Sequence, residues 1–314
     1  MSQFEFLKPI LALAQESVAC YRRRTMSIFG SGSGYSGQRR GWGGGGLRII
    51  IGIIIVLVGV IGYYSKTSVN PATGEKQHVG NITPDQESQL GLQAAPEMSA
   101  QMGGEESPQS PDSQTVERVG QNLVSHSVAS KSPYKYDFHL LRDPNTVNAF
   151  ALPGGQVFIT RALYDKLSDE AMLSGVLGHE IGHVVDRHSA QQMAKGQLGQ
   201  MVVSGVAVAT SDRDHPYAGA MIASLVNNTI QLRHSRQDES QADELGLRIM
   251  TESGFDPRAM IDVMKVLQES SGGRKQPEFL STHPDPGNRI EAIEQWLKEH
   301  PDQAKTMTRG RPLR

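Results

Sequence analysis

The chain begins polar and glycine-rich, then runs apolar without interruption from Ile49 to Tyr64. At about 1.5 Å per residue that run makes a helix of roughly 24 Å, slightly short of a typical bilayer hydrocarbon core. Leu47–Tyr64 (LRIIIGIIIVLVGVIGYY) is therefore predicted to be a transmembrane signal anchor. Trp42 and Tyr63–Tyr64 are placed to sit at the two interfaces, and Arg48 to snorkel. A buried strand would not run so long without polar alternation. No small-x-small cleavage pattern follows, and no cysteine stands there to carry a lipid.

Beyond the apolar run, residues 65–82 read as an exposed connector. Thr83-Pro84-Asp85-Gln86 is a helix start, with Thr83 at the N-cap, Pro84 at N1 and Gln86 closing a capping box; the helix extends to about Gln101. Val116, Val119, Leu123 and Val124 recur at helical spacing over Gln114–His126. Period-two patterning then predicts strands at Tyr134–Leu141, Asn148–Leu152 and Val157–Thr160, the last two joined by the turn Pro153-Gly154-Gly155, as a small antiparallel sheet. Ser168 or Asp169 caps a helix running to about His188. Met201–Thr210 and Ala218–Val226 are each too short to cross a bilayer and predict a soluble helical hairpin. Helices at Arg236–Ser253, Pro257–Glu269 and Gly287–His300 follow. The expected class is α+β, mostly helical, with one N-terminal transmembrane helix. Its divisions are a low-complexity N-terminus (1–46), the span (47–64), the connector (65–82), one domain (83–300) and a polar tail (301–314).

Composition adds exclusions and a direction. The 314 residues include one cysteine, Cys20, which excludes an internal disulfide framework and a thiolate-built zinc site. The formal net charge of −2 excludes a whole-chain nucleic-acid binder. That charge is unevenly spread. Lys8, Arg22, Arg23, Arg24, Arg39, Arg40 and Arg48 precede or open the span against only Glu5 and Glu16, whereas residues 65–115 are acidic. The positive-inside rule puts the N-terminus in the cytoplasm and everything after Tyr64 on the periplasmic or extracytoplasmic side. Gly30–Gly46 is low-complexity and expected to be disordered. Met26 is the expected true start, with residues 1–25 an upstream extension, and the intact mass of the native protein tests this.

The candidate chemistry lies at Gly178-His179-Glu180-Ile181-Gly182-His183, an H-E-x-x-H pattern on a predicted helix. Residues four apart share a helix face, so His179 and His183 are placed to bind one zinc ion per chain, with Glu180 placed to reach water beside the metal. Met172, Leu173, Val176, Leu177, Val184 and Val185 flank the motif, and a helix so apolar does not bury two histidines and a glutamate without a use for them. Catalytic zinc takes a third protein ligand. His188 lies five residues past His183, about 500° around a helix axis and off the ligand face, which makes it a surface or outer-layer residue. Glu239 and Asp243, in Glu239-Ser240-Gln241-Ala242-Asp243, offer a metal ligand and a hydrogen-bond acceptor for a ligand histidine. Taken alone, that pair also reads as a solvated helix face.

H-E-I-G-H, then E-S-Q-A-D after a helical insert, with N-A-F-A-L-P-G-G before and S-T-H-P after, resembles the gluzincin family of the HtpX heat-shock protease and the CaaX prenyl endopeptidase, above all its BepA-like, LoiP-like and Oma-type branch. The resemblance covers roughly residues 83–300. It implies a zincin-type metalloendopeptidase with His179, His183 and Glu239 as zinc ligands and Glu180 as general base. It also implies unfolded or extended polypeptides as substrates, with misfolded or damaged envelope proteins as the expected targets. A zinc-bound but proteolytically latent chaperone or scaffold at the membrane is the alternative. The multi-span core of the HtpX and prenyl-protease branches is absent, as is the helical-repeat region of the BepA branch, so their particular roles do not carry over. His283, with Arg289 behind it, is a candidate oxyanion donor. In BepA-like relatives such a histidine instead occupies the fourth zinc position, and a structural loop histidine is the third reading. Asn148, Ala149 and Phe150 are expected on an edge strand beside the metal, to which an extended substrate adds by main-chain hydrogen bonds.

Overall fold

A computed structural model describes residues 44–210, 234–270, 278–283, 286–301 and 307–313 of the chain. The upstream residues 1–25, the start at Met26, Trp42 and the run Ala218–Val226 lie outside the described residues.

The elements are, in chain order, α1 (Gly44–Ser65), β1 (Ser68–Val69), β2 (Lys76–Gln77), α2 (Pro84–Gln101), α3 (Pro111–Ser125), β3 (Asp137–Leu141), β4 (Ala149–Ala151), β5 (Gln156–Thr160), α4 (Arg161–Tyr164), α5 (Glu170–Val185), α6 (His188–Thr210), α7 (Arg236–Glu252), α8 (Ala259–Ser270), α9 (Glu278–Thr282) and α10 (Pro286–Glu299). The architecture is mostly helical with two small sheets. Within α1, Arg48–Ser65 is long and apolar enough to cross a membrane, and only 11% of that stretch is buried.

α5 is the central element, buried along its whole length. Asp169 caps its start by accepting from the Met172 N–H. α3, α7, α8 and β4 pack around it, and the main core includes Val119, Leu123, Leu173, Leu177, Ile181, Leu247, Met250 and Met260. α2 starts as expected, with the full Thr83–Gln86 capping box and Pro84 at its first position.

Four expectations change. First, the three-stranded sheet is mixed, not antiparallel, with order β3-β5-β4. The Pro153–Gly155 turn folds β4 back antiparallel on β5, and β3 takes the other edge of β5, running parallel to it. Second, the connector is not uniformly exposed. β1 and β2 form an antiparallel hairpin, in which Asn70 and Gln77 are each only 3% exposed. Asn70 Nδ2 donates to the Val185 carbonyl (2.8 Å) and Asp186 Oδ1 (3.0 Å), and Gln77 Nε2 donates to the Asp186 carbonyl (2.9 Å). The loop thus satisfies carbonyls at the end of α5. Third, α5 stops at Val185 rather than near His188. Arg187 takes a left-handed backbone (φ 54°) and breaks the helix. Its side chain is held by Glu87 and the Ile82 carbonyl. Fourth, the C-terminal residues are not a loose tail. Glu170 N donates to the Arg311 carbonyl, Ala171 N to the Arg309 carbonyl and Leu313 N to the Ser168 carbonyl. Arg309 also pairs with Asp169 and Asp262.

Candidate active site

Gly178 and Gly182 each precede a histidine of α5, and opposite them on α7 stand Ala242 and Gly246. A Cβ on Gly182 would lie 2.9 Å from the Ala242 carbonyl oxygen, and one on Gly246 would lie 3.1 Å from the His179 nitrogen. The two backbones therefore approach as closely as small residues permit. α7 begins at Ser235, whose side chain and that of Asp238 form a reciprocal cap. That start puts Glu239 in the first turn and Asp243 one turn on, both facing the α5 histidines.

The polar contacts orient the two rings. His179 Nδ1 donates to Asp243 Oδ1 (2.9 Å), leaving the Nε2 lone pair to face inward. His183 is set by a longer chain. The Glu75 carboxylate can only accept, so Gln241 turns its amide nitrogen to it (3.3 Å) and its Oε1 to His188 Nε2 (3.3 Å). His188 therefore donates through Nε2 and accepts through Nδ1 from His183 Nδ1 (2.8 Å). The His183 Nε2 lone pair thereby also faces inward, 3.1 Å from His179 Nε2.

Two acceptor nitrogens that close repel each other unless a cation lies between them. Glu239 closes the same space, with its oxygens 3.4 Å from His183 Nε2 and 3.5 Å from His179 Nε2. Tetrahedral zinc ligands at about 2.0–2.1 Å lie roughly 3.3 Å apart, so the spacing fits. One ligand atom from each of His179, His183, Glu239 and His283 lies within 4.8 Å of the others, and all four residues are buried. Glu180 Oε1 and Glu239 Oε2 are buried without hydrogen-bond partners.

The electrostatics agree. Burial and Arg289 oppose a charge on His179, yet Asp243 and Glu239 outweigh them and lift its pKa to about 9, the signature of a site that attracts positive charge. Burial, with His234 beside it, holds His183 neutral. Burial also opposes charge on Glu239, but His283, His179 and His183 keep it ionised well below the usual carboxylate range. Asp243 is likewise held low against burial, by Arg289 first.

Arg289, on α10, donates from Nε and Nη2 to the two oxygens of Asp243 (2.7 and 2.6 Å). Its Nη1 lies 3.0 Å from Glu239 Oε2. His283 follows α9, its ring stacked on Phe279 at 4.4 Å. Its Nδ1 is 2.9 Å from Glu239 Oε1, and its Nε2 is 3.6 Å from Glu180 Oε1. Phe279 N donates to the Val147 carbonyl, which ties this loop to the approach to β4. β4 is an edge strand of its sheet, packed against α5. Ala149 is buried there, and Phe150 stacks on Phe158 at 4.9 Å, so its ring serves a satellite core. Asn148 is buried, with Oδ1 unpartnered.

Two residues differ from, or escape, the sequence reading. The off-face placement of His188 assumed an unbroken helix. The Arg187 break returns His188, fully buried, onto His183, so the surface reading fails and the outer-layer contact holds. His234 was not singled out. Its ring lies 4.0 Å from that of His183 and 5.1 Å from that of His283, with Gln192 Nε2 2.9 Å from its Nδ1. Burial holds its pKa down to about 4. Its only sequence signal is its position just before the cap of α7.

Comparison with known proteins points the same way. The profile of "Peptidase family M48" matches residues 110–297. The chain is 32% identical over 252 residues to the mitochondrial metalloendopeptidase OMA1 of Schizosaccharomyces pombe, an alignment covering 80% of this chain and 72% of that protein. It is 33% identical over 183 residues to the beta-barrel assembly-enhancing protease of Escherichia coli K12, covering 56% of this chain but 37% of that longer protein. It is 32% identical over 205 residues to the OMA1 of Saccharomyces cerevisiae, covering 60% and 57%. With the H-E-x-x-H helix, the facing glutamate and the buried four-residue metal group on one pair of helices, the chain belongs to peptidase family M48 and is a metalloendopeptidase.

Proposed function

We propose that the protein is a zinc-dependent endopeptidase, anchored to a membrane by α1, that hydrolyses misfolded or damaged envelope polypeptides on the extracytoplasmic side. The observation that carries the zinc assignment is the pair of inward Nε2 lone pairs 3.1 Å apart, each set by a hydrogen bond to its other nitrogen. His179, His183 and Glu239 hold the ion. Bound there, zinc supplies Lewis acidity, acidifying water and polarising the scissile carbonyl.

The chain's own residues do the rest. Glu180, buried with an unpartnered oxygen beside the ligand group, takes the proton from the attacking water and passes it to the leaving amine. Asp243 fixes the His179 tautomer, and Arg289 holds Asp243 and balances its charge. The edge of β4 at Asn148, Ala149 and Phe150 takes an extended substrate through backbone groups, which suits loose sequence preference. The envelope role draws on the names of the similar proteases, and the membrane side on the charge asymmetry around α1.

Zinc content and cleavage of an unfolded casein, wild type against Glu180→Gln, test the reading. The expected result is one zinc per chain in both proteins, with cleavage lost in the variant. Stoichiometric zinc without cleavage by the wild type, under conditions that release any latency, or by His283→Ala, would replace the protease reading with the scaffold one.

A second reading concerns latency. His283 joins the metal group through Glu239, which favours a role as a fourth zinc ligand that restrains activity over that of an oxyanion donor. His283→Ala then cleaves casein faster than wild type. A large loss of rate would make it a donor, and no change would leave it structural.

A further inference from the structure

α6 does not stop at the catalytic domain. It starts with His188 against the ligand His183 and runs unbroken for 23 residues to Thr210. From Gly196 to Thr210 it carries no charged residue. Its distal half lies along α1. A Cβ on Gly59 would be 3.0 Å from Met201 Cβ, and one on Gly205 would be 2.6 Å from the Gly52 carbonyl oxygen and from Val56 Cγ2. The contacts descend α1 as α6 proceeds outward, so the helices run in opposite senses.

The depth follows from helix geometry. At the domain end of α1, Tyr63 stacks on His78 at 5.0 Å. Gly52 lies eleven residues nearer the N-terminus, about 17 Å along the axis, more than half of a hydrocarbon core of roughly 30 Å. A helix that touches α1 at that level cannot be in water if α1 is in lipid. α6 is suited to such a place. The Ser204 hydroxyl at this depth donates to its own Gln200 carbonyl (2.8 Å). Backbones meeting at glycine are how helices associate where the surrounding chains are as apolar as the side chains. Met201 is 45% exposed, and Val202, Val206, Ala207 and Val208 are part-exposed.

We infer that the distal half of α6, from Met201 to Thr210, lies within the bilayer beside α1 as a second membrane-embedded element, its exposed face covered by lipid acyl chains. This rests on the anchor reading of α1. It replaces the soluble hairpin expected from the short apolar runs. It also makes one continuous helix the link between the membrane interior and the metal site, with His188 about 20 Å from Met201 along the axis. The active site is then held close over the membrane surface, where the chains it meets are those emerging from or lying on the bilayer.

The test uses the full-length protein in phosphatidylcholine vesicles. In a Cys20→Ser background, single cysteines are placed at Ile54 (α1), Met201 and Ala207 (α6) and Lys166 (catalytic domain) and labelled with an environment-sensitive fluorophore. Each variant is first checked for casein cleavage. Quenching by brominated acyl chains is then compared with quenching by aqueous iodide. Ile54→Cys, Met201→Cys and Ala207→Cys should all be quenched by the lipid and shielded about tenfold from iodide relative to Lys166→Cys. Lipid quenching at Ile54→Cys with iodide quenching at both α6 positions would overturn this inference and leave the anchor standing. Iodide quenching at Ile54→Cys as well would overturn the anchor and this inference together.

Discussion

Two helix pairs in this molecule use the same packing device in opposite surroundings. α5 and α7 meet at Gly178, Gly182, Ala242 and Gly246, and α1 and α6 meet at Gly52, Gly59 and Gly205. In the first pair the close approach brings His179, His183, Glu239 and Asp243 together, all buried. In the second no charged residue lies near the contact, and Ile53, Ile54, Leu57 and Val58 remain more than half exposed. The difference shows that glycine contacts specify proximity only. What the proximity is for depends on the side chains one position away and on what surrounds the pair. Next to the α5 glycines stand candidate metal ligands enclosed by protein. Next to the α1 glycines stand branched apolar side chains, several of them about half exposed among the described residues.

Exchanging the two glycines gives the largest contrast. Gly182→Val places a side chain against the Ala242 carbonyl. It should separate α5 from α7, cost about 1–3 kcal/mol of stability and lower casein cleavage a hundredfold or more, since a 1 Å displacement of catalytic groups has that order of effect. Gly205→Val meets the Gly52 backbone more closely still (2.6 Å against 2.9 Å), yet should leave cleavage of a soluble unfolded substrate within a few-fold of wild type. Equal losses in the two variants would show that the pairs do not differ in function.

The next contrast removes one hydrogen bond from the buried pair. Asp243→Asn keeps the shape but presents an amide to His179 Nδ1 and to Arg289, where a carboxylate now accepts from both. Zinc affinity, measured by competition with a chromophoric chelator, should fall about 10- to 100-fold. An unchanged affinity would mean that His179 is oriented by something else.

How far each pair was legible in the sequence follows from the same physics. The candidate residues stand at fixed spacings on single helices: His179, Glu180 and His183 were legible from spacing within one motif, while Glu239 and Asp243, alone also a solvated face, gained their reading from that motif and from the family resemblance. The Thr83–Gln86 capping box and the strand β4 are equally local. What failed were features made by distant or broken chain. A run of H-V-V-D-R-H looks helical throughout, and nothing in it announces that Arg187 will adopt φ 54° and turn His188 onto His183. The parallel pairing of β3 with β5 depends on which edge of β5 the turn leaves open. The run Met201–Thr210 is the end of a longer helix, because α6 already starts at His188, in a stretch that looks polar.

The third contrast follows from that broken helix. Gln241 orients His188, which orients His183, and Glu75 of the β1–β2 hairpin orients Gln241. Gln241→Leu removes the acceptor for His188 Nε2 and frees the tautomer of the second ring. Being one residue further from the metal than Asp243, it should weaken zinc retention by less, about three- to tenfold. A loss as large as that of Asp243→Asn would place the hairpin among the main determinants of the site.

The smallest expected effect sits where the two regions join. Asp186 caps the end of α5 and accepts from Asn70 and Gln77 of the hairpin that follows α1. Burial first, then Glu75, raise its pKa to about 7 against the pull of Asn70 and Thr73. The folded protein therefore holds this proton more tightly than the unfolded chain, whose aspartate titrates near 3.9. Between those values the unfolded state binds fewer protons, so stability falls as pH rises from about 4 to about 7 and is level above. Asp186→Asn retains an oxygen for the two amide donors and removes the buried charge. It should raise the melting temperature by a few degrees at pH 8, roughly 1 kcal/mol or more, and leave it unchanged at pH 4. A variant less stable than wild type at pH 8 would mean that the ionised carboxylate is what clamps the hairpin to α5. The joint between the hairpin that follows α1 and the end of α5 would then be electrostatic, in contrast to the glycine packing that builds both pairs.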